Sequence, residues 1–180
     1  GGACHCELCQ EAFREWLQKK YKTLENLNHA WWTTFWSHTY TSWDQIHSPV
    51  PHGEIGLHGL NLDWKRFVSD QMQDFCMAEI RAVRKYSDRP VTINMMEFFR
   101  PFNYYKFAKQ LDIISWDSYP QWHREADDRD TAMRTAACHT LMRSLKKAPF
   151  LLMESTPSIV NWKDVNIQKR PGMHELSSLQ

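Results

Sequence analysis

The chain has 180 residues, with 22 lysines and arginines against 21 aspartates and glutamates and a formal net charge of +1. Acids and bases are interspersed, so no basic patch indicates nucleic acid or an anionic membrane, and no run of about 18 apolar residues predicts a membrane span. The start shows no signal-peptide pattern. We therefore expect a cytoplasmic protein without nucleic-acid or membrane partners.

A cluster of thiols opens the chain. Cys4, Cys6 and Cys9 fall within six residues, with His5 among them. Such spacing is typical of a tetrahedral zinc–thiolate site, whose fourth ligand would be His5 or a residue upstream of Gly1. Unrelated cysteines or a disulfide remain the alternative. The two other cysteines, Cys76 and Cys138, lie on helical patterns and are expected to be buried thiols.

The next segments are rich in aromatic residues. Helical spacing predicts a core-packing helix with the positions Phe13, Trp16, Leu17, Lys20 and Tyr21. Nine tryptophans occur in the chain, and four of them fall close together: Trp31, Trp32, Trp36 and Trp43. Flat rings with an indole donor suit the faces and hydroxyls of sugars, so the segment predicts a sugar subsite. The alternative for each ring is a place in the core.

Two longer helices are predicted. Prolines and glycines make residues 47–62 the main irregular region. A helix over about 63–86, capped by Asp63, keeps apolar residues at a period near 3.6: Val68, Met72, Phe75, Cys76, Ile80 and Val83. A second helix over about 130–147 places Met133, Ala137, Leu141 and Leu145 on one face, and Pro149 ends it.

Three apolar runs end in polar side chains. Residues 89–94, 111–117 and 149–154 close on Asn94, Asp117 and Glu154. Continuous apolar runs alternating with helices predict βα units around a parallel sheet, with these three polar residues at the same end. The carboxyl ends of barrel strands carry catalytic groups, so Glu154 is a candidate catalytic residue. A solvated acid that merely ends a strand is the alternative.

The length restricts the fold. A closed (β/α)₈ barrel needs about 250 residues, which is more than this chain has. Only three strands are convincing, so the sequence predicts a partial TIM barrel of the α/β class.

Several segments, taken in order, closely resemble the family-42 glycoside hydrolases, which are β-galactosidases. The segments that carry the resemblance are residues 4–13, 31–40, 62–67, 115–120, 153–158 and 169–173. The resemblance runs from end to end of the chain. It implies a retaining β-galactosidase that acts on terminal β-galactose, commonly a homotrimer, of which this chain holds strands five to seven. Residues 1–62 would follow the fourth strand, and residues 63–180 would form βα units five to seven.

The resemblance also implies roles for residues. Glu154 matches the catalytic nucleophile. Trp36, Tyr119 and Trp162 match aromatic residues of the galactose pocket. Cys4, Cys6 and Cys9 match three of the four ligands of a structural zinc ion.

One departure from the family bears on activity. The family's acid/base glutamate follows an asparagine upstream of the cysteine segment, and this chain has no Asn-Glu pair. Glu97 and Asp117 are the internal candidates for that role, but the resemblance favours an acid/base upstream of Gly1. The chain is then expected to be an internal fragment, inactive alone. Non-catalytic sugar binding and a zinc-stabilised structural segment remain the alternative functions.

Overall fold

The computed structural model describes residues 4–49, 56–155 and 170–179. The chain divides into two compact units, Gly1–Cys76 and Met77–Gln180. Its helices and strands are α1 (Glu7–Tyr21), α2 (Leu24–Trp31), α3 (His58–Arg84), β1 (Asn94–Met95), α4 (Tyr104–Ala108), β2 (Ser115–Ser118), α5 (Asp128–Lys146), β3 (Leu151–Ser155) and α6 (Met173–Leu179). Among the described helices, none combines the length and apolar character that crossing a bilayer requires.

Aromatic residues form the core of the first unit. Phe13 and Leu17 lie one turn apart on α1 and are fully buried, as their spacing predicts, whereas Trp16 and Tyr21 pack around them half-buried. The cluster consists of Phe13, Leu17, Leu27, Trp31, Ile46, Leu60, Trp64 and Phe67. Packing is tight at Gly59, where a Cβ would lie 2.3 Å from the Trp31 ring. Only glycine fits between α3 and that indole.

Asp63 does not cap α3, and the predicted capping role is wrong. The helix begins at His58, and Asp63 lies within it with 1% of its surface exposed. A buried carboxylate requires partners, and here Tyr21 donates at 2.6 Å, Trp31 Nε1 at 3.1 Å and Arg66 at 3.0 Å, while Lys20 forms a further ion pair. Burial alone would raise the pKa of Asp63, but these four donors together lower it.

The irregular region predicted over residues 47–62 is wrong at its end, because α3 begins at His58. Residues 58–62 are helical, and residues 50–55 lie outside the described residues. Cys76 is buried as expected, but Met72, Phe75 and Val83 are exposed within the described structure. The helix ends at Arg84, two residues before the predicted end.

The second unit contains a parallel three-stranded sheet in the order β1-β2-β3. The predicted parallel order is confirmed, but the strands are shorter and lie further along the chain than predicted, since β1 shares only Asn94 with the run 89–94 and β2 begins at Ser115. Strand β2 is buried along its whole length, and β3 is exposed along its whole length in the described structure. Ser115 pairs with Asn94 on one side and with Leu151 on the other.

Helix α5 buries a different face from the one that its sequence favours. Thr135, Cys138 and Met142 are its buried residues, whereas Met133 is 59% exposed. The buried thiol of Cys138 is confirmed. Burial first, and then the nearby Glu97 carboxylate, raise the pKa of Cys138 to about 12.

Candidate active site at the carboxyl ends of the strands

The side chains of Asn94, Asp117 and Glu154 meet at one end of the sheet, as predicted. Asn94 Nδ2 donates to Glu154 Oε1 at 3.1 Å and to Asp117 Oδ2 at 3.3 Å. One amide therefore joins two carboxylates from the neighbouring strands. The two acidic groups therefore both approach the same amide nitrogen.

A β-bulge brings Glu154 onto this face. Trp116 pairs with Leu152, but the next residue, Asp117, pairs with Glu154, so Met153 is an extra residue in β3. Side chains alternate between the faces of a strand, and one extra residue reverses which face the following side chain occupies. The bulge thus places Glu154 on the face of Asp117.

Tyr119 is the second donor to Glu154. Its hydroxyl donates to Glu154 Oε2, while Asn94 occupies Oε1. Burial, with the neighbouring Glu154 carboxylate as a further cause, raises the pKa of Tyr119 to about 12. The phenol therefore stays protonated, and remains a donor, through the neutral and mildly alkaline range.

Asp117 differs from Glu154 in its burial. It is 5% exposed, and its Oδ1 has no hydrogen-bond partner among the described residues. Burial raises the pKa of Asp117, the Asn94 amide opposes that shift, and the negative charge of Glu154 adds to it. Glu154 itself is exposed. The exposed carboxylate is the one that can reach a ligand.

Glu97 is held by a different partner. It lies in the turn after β1 and forms an ion pair with Arg134 of α5. No described contact joins it to Glu154. Asp117 and Glu154 therefore share a hydrogen-bond donor, Asn94, whereas Glu97 is paired with Arg134 of α5.

The tryptophans predicted for a sugar pocket have different environments. Trp31 belongs to the core of the first unit, Trp43 packs half-buried against that core, and Trp32 is 73% exposed. Trp36 lies in a 3₁₀ turn, Phe35–Ser37, and its side chain is outside the described structure. Trp162 also lies outside the described residues. Of the three predicted pocket residues, Tyr119 is the one whose contacts are described.

The three clustered cysteines lie at the start of α1 in the first unit. The sulfur atoms of Cys4, Cys6 and Cys9 all lie within 4.8 Å of one another. His5 is engaged elsewhere, because its Nδ1 lies 2.8 Å from Ser48 Oγ and its ring stacks on Trp64. Zinc–sulfur bonds are about 2.3 Å long, so small rotations of these side chains would let one ion bind all three sulfurs. The residues present fit a zinc site that still requires a fourth ligand.

Two sets of contacts have no signal in the local sequence. The hydrogen bonds from Asn94 to Asp117 and Glu154 depend on the register of the three strands, which the sequence does not give. The sequence does place Asn94 at the end of an apolar run, where polar groups of a parallel sheet collect. The donors to Asp63 come from three helices, and no local pattern connects them.

Comparison with known proteins identifies the family. The model of glycoside hydrolase family 42, described as β-galactosidase, matches residues 1–180. The chain belongs to glycoside hydrolase family 42. β-Galactosidase BglY of Alicyclobacillus acidocaldarius is 61% identical over 181 residues, which cover 100% of this chain and 26% of that protein. β-Galactosidase GanA of Bacillus subtilis is 55% identical, with 100% of this chain and 28% of that protein covered.

Solved structures of family-42 β-galactosidases agree closely with this chain. The Rahnella sp. R3 enzyme gives a TM-score of 0.93 at 56% identity, covering 99% of this chain and 27% of that one. A catalytic mutant of Gan42B from G. stearothermophilus gives 0.92 at 57% identity, covering 99% and 28%. The chain therefore spans about a quarter of its relatives' length, and its sheet is part of the TIM barrel of the family.

Proposed function

We propose that the full-length protein containing this chain is a retaining β-galactosidase that removes terminal β-D-galactose, with Glu154 as its nucleophile. The arrangement around Glu154 carries the proposal. The carboxylate lies at the carboxyl end of a parallel strand, is exposed, and accepts one hydrogen bond on each oxygen, from Asn94 and from Tyr119. Two donors on one carboxylate hold it in a single orientation toward a bound sugar.

The chemistry follows from that position. A Glu154 oxygen attacks the anomeric carbon while the bond from that carbon to the leaving oxygen breaks, and a galactosyl ester forms. A second carboxyl group protonates the leaving oxygen. The same group later takes a proton from water, which cleaves the ester and releases galactose and the free Glu154 carboxylate.

The second carboxyl group is expected outside these residues, as the family resemblance implies. Asp117 shares the Asn94 amide with Glu154, so we assign it to positioning: it holds Asn94, and Asn94 holds Glu154. Glu97 is paired with Arg134. Accordingly, the 180-residue chain alone is expected not to hydrolyse nitrophenyl galactoside.

Sugar binding is assigned to Tyr119, Trp36 and Trp162 on the resemblance. Four further points also stay predictions. They are the place of the chain as strands five to seven of the barrel, the division at residues 62 and 63, the homotrimer and the cytoplasmic location. Galactose ring faces suit such aromatic residues. The Tyr119 contact with Glu154 supports its place in the pocket.

A structural zinc ion is the proposed occupant of the cysteine cluster. Cys4, Cys6 and Cys9 supply three thiolates, and a residue outside the chain supplies the fourth ligand. Hydrogen-bonding contacts with Cys4 and Cys6 raise the pKa of Cys9 to about 11, so binding of the ion must displace its proton. In the full-length protein, Cys6→Ser should abolish stoichiometric zinc after dialysis, while Cys138→Ser should retain it. Equal zinc in both variants would contradict the assignment.

Covalent labelling tests the role of Glu154. A 2-deoxy-2-fluoro galactoside with a good leaving group should trap the galactosyl ester, and peptide mapping should find the label on Glu154. A label on Asp117 or Glu97 would replace the assignment. Rapid hydrolysis of ordinary galactosides with inversion at the anomeric carbon would overturn the retaining mechanism.

The other two functions predict different results. Non-catalytic sugar binding predicts galactose binding by calorimetry with no turnover in the full-length protein. A purely structural zinc segment predicts zinc without galactose binding. Turnover that requires Glu154 excludes both.

A further inference from the structure

The helix that carries the three clustered thiols does not hold all of them. Cys9 lies in the first turn of α1, whereas Cys4 and Cys6 precede the helix. Cys6 is the N-cap residue, and its side chain makes no capping hydrogen bond. The three sulfur atoms nevertheless lie within 4.8 Å of one another. Contacts outside the helix are therefore needed to keep residues 4–6 in place.

His5, which lies between two of the thiols, is attached to the core of the first unit. Its ring stacks on Trp64 with the two centroids 5.1 Å apart, and Trp64 is a buried member of the core cluster. The His5 Nδ1 atom lies 2.8 Å from the Ser48 hydroxyl. The imidazole is thus engaged on one face by an indole and on one nitrogen by a hydroxyl.

Gln10 binds the same segment from the helix. It is buried on the stripe of α1 that continues through Phe13 and Leu17, where helical spacing would favour an apolar side chain. Its Nε2 donates to the His5 carbonyl at 3.3 Å and to Ser48 Oγ at 2.6 Å. Its Oε1 accepts from the Ser48 amide at 2.8 Å. These three bonds satisfy the buried amide and join His5 to Ser48 a second time.

Ser48 extends these contacts to another segment of the chain. It is 2% exposed and lies two residues after Ile46, which is fully buried in the core cluster. Its backbone amide and its hydroxyl both bond to Gln10, and the hydroxyl also contacts His5. Buried hydrogen bonds favour one geometry, because a buried polar group left without its partner is costly. The segment before α1 is thereby connected to the helix and to the chain around Ser48.

Contacts behind a metal site orient its ligands, and loss of one typically lowers metal affinity about 10-fold to 100-fold. We propose that His5, Gln10 and Ser48 position the cysteine segment for its zinc ion, and that His5 acts through these contacts rather than as a ligand. This role rests on the proposed zinc site. It goes beyond that site because it gives a function in metal binding to Gln10 and Ser48, which lie outside the cysteine motif.

The rate of zinc release from the full-length protein tests this role. Transfer of the ion to an excess of a chromophoric chelator, followed well below the melting temperature, gives the rate. Gln10→Ala and Ser48→Ala should each speed release by about 10-fold to 100-fold. The matched control is Gln18→Ala, at an exposed position of the same helix, which should release zinc at the native rate.

A second control separates positioning from a general loss of stability. Asp63→Asn should destabilise the same unit, yet the donors to Asp63 lie outside the cysteine segment: Lys20, Tyr21, Trp31 and Arg66. This variant should release zinc at the native rate. Equal acceleration in Asp63→Asn and Gln10→Ala would assign the effect to stability and overturn the proposal.

Two variants of His5 distinguish positioning from ligation. The amide of His5→Asn can place a polar atom where Nδ1 contacts Ser48, whereas His5→Ala cannot, and an amide is not among the usual zinc ligands. If His5 is a positioning residue, His5→Asn should retain stoichiometric zinc and release it more slowly than His5→Ala does. Loss of stoichiometric zinc in His5→Asn would make His5 a ligand and overturn the proposal.

The native protein separates failure of the zinc site from failure of the positioning role. Full-length native protein without stoichiometric zinc would overturn both. If the native protein holds zinc, but Gln10→Ala and Ser48→Ala release it no faster, the positioning role alone is wrong.

Discussion

Asp63 in the first unit and Glu154 in the second are two carboxylates placed in opposite ways. Asp63 is 1% exposed, lies inside a helix, and has four donors: Lys20, Tyr21, Trp31 and Arg66. Glu154 is exposed at the end of a strand and, among the residues that the structure describes, accepts from Asn94 and Tyr119. The first carboxylate has its hydrogen-bonding capacity taken up by protein donors, whereas the second can still reach a ligand.

The two carboxylates show that burial and the number of donors decide whether an acidic side chain stabilises the fold or stays available for chemistry. A buried charge surrounded by donors connects elements, and its removal leaves those donors without their acceptor. An exposed charge held by two donors is oriented but reactive. Changes at Asp63 should therefore affect folding, and changes at Glu154 should affect turnover.

The largest expected effect is on turnover at Glu154. Glu154→Gln in the full-length protein should lower kcat for nitrophenyl galactoside by at least about a thousandfold, because a neutral amide cannot form the galactosyl ester. Its melting temperature should change little, since the side chain is exposed. The control Glu79→Gln, at an exposed position of α3, should keep native turnover. Near-native activity in Glu154→Gln would remove the distinction between the two carboxylates.

The next effect is on stability at Asp63. Asp63→Asn should lower the free energy of unfolding by about 2–4 kcal/mol, because an amide loses charge-assisted bonds and leaves donors unpaired. Chemical denaturation measures the change, and exposed Asp44→Asn should stay within about 0.5 kcal/mol of the native protein. If Asp63→Asn changed the free energy of unfolding as little as the control does, the stabilising role assigned to Asp63 and its donors would be wrong.

The pH dependence of stability has a defined sign. The folded-state pKa of Asp63 is lowered, so its contribution is complete above the unfolded value of about 3.9 and is lost as pH falls through the folded value. Asp63→Asn should remove this acid-induced loss. The same acid dependence in the native protein and the variant would assign it to other carboxylates.

A smaller effect is expected at Tyr119. Tyr119→Phe removes the donor to Glu154 Oε2 and should lower kcat by about 10-fold to 100-fold. The pKa of Tyr119 is near 12, so the alkaline limb of the pH–rate profile should keep its position while the profile falls. Tyr105→Phe, at a 62% exposed site, serves as the control. A displaced alkaline limb would mean that Tyr119 titrates in the active range.

The smallest effect concerns Asp117. The charge of Glu154 helps to raise the pKa of Asp117, so Glu154→Gln should lower that pKa, although burial, the first cause, keeps it above the ordinary value. Carbon-13 NMR of labelled aspartate carboxyl groups measures the change. An unchanged pKa would show that the two carboxylates are not coupled through this site.

Much of the sheet could be predicted from local sequence. The apolar runs that end in Asn94, Asp117 and Glu154 fix both the strands and the end at which polar groups collect, because parallel strands share one direction. The helices around them followed from their periodicity, with ends shifted by a few residues. Their buried faces followed only in part. Cys76 and Ile80 of α3 are buried as predicted, whereas α5 buries Cys138 and Met142, since the neighbouring elements, rather than the count of apolar residues, select the face.

Glu154 shows which features local sequence predicts and which it does not. The sequence by itself determined that a carboxylate ends the third strand, that the strands are parallel, and that the chain belongs among family-42 sequences. Only the tertiary structure decided that one extra residue at Met153 turns Glu154 onto the face of Asp117, where Asn94 reaches both. The tertiary structure also decided that Asp63, predicted as a helix cap, is a buried carboxylate that accepts hydrogen bonds from three helices. Register and long-range donors come from distant segments, and no local pattern encodes them.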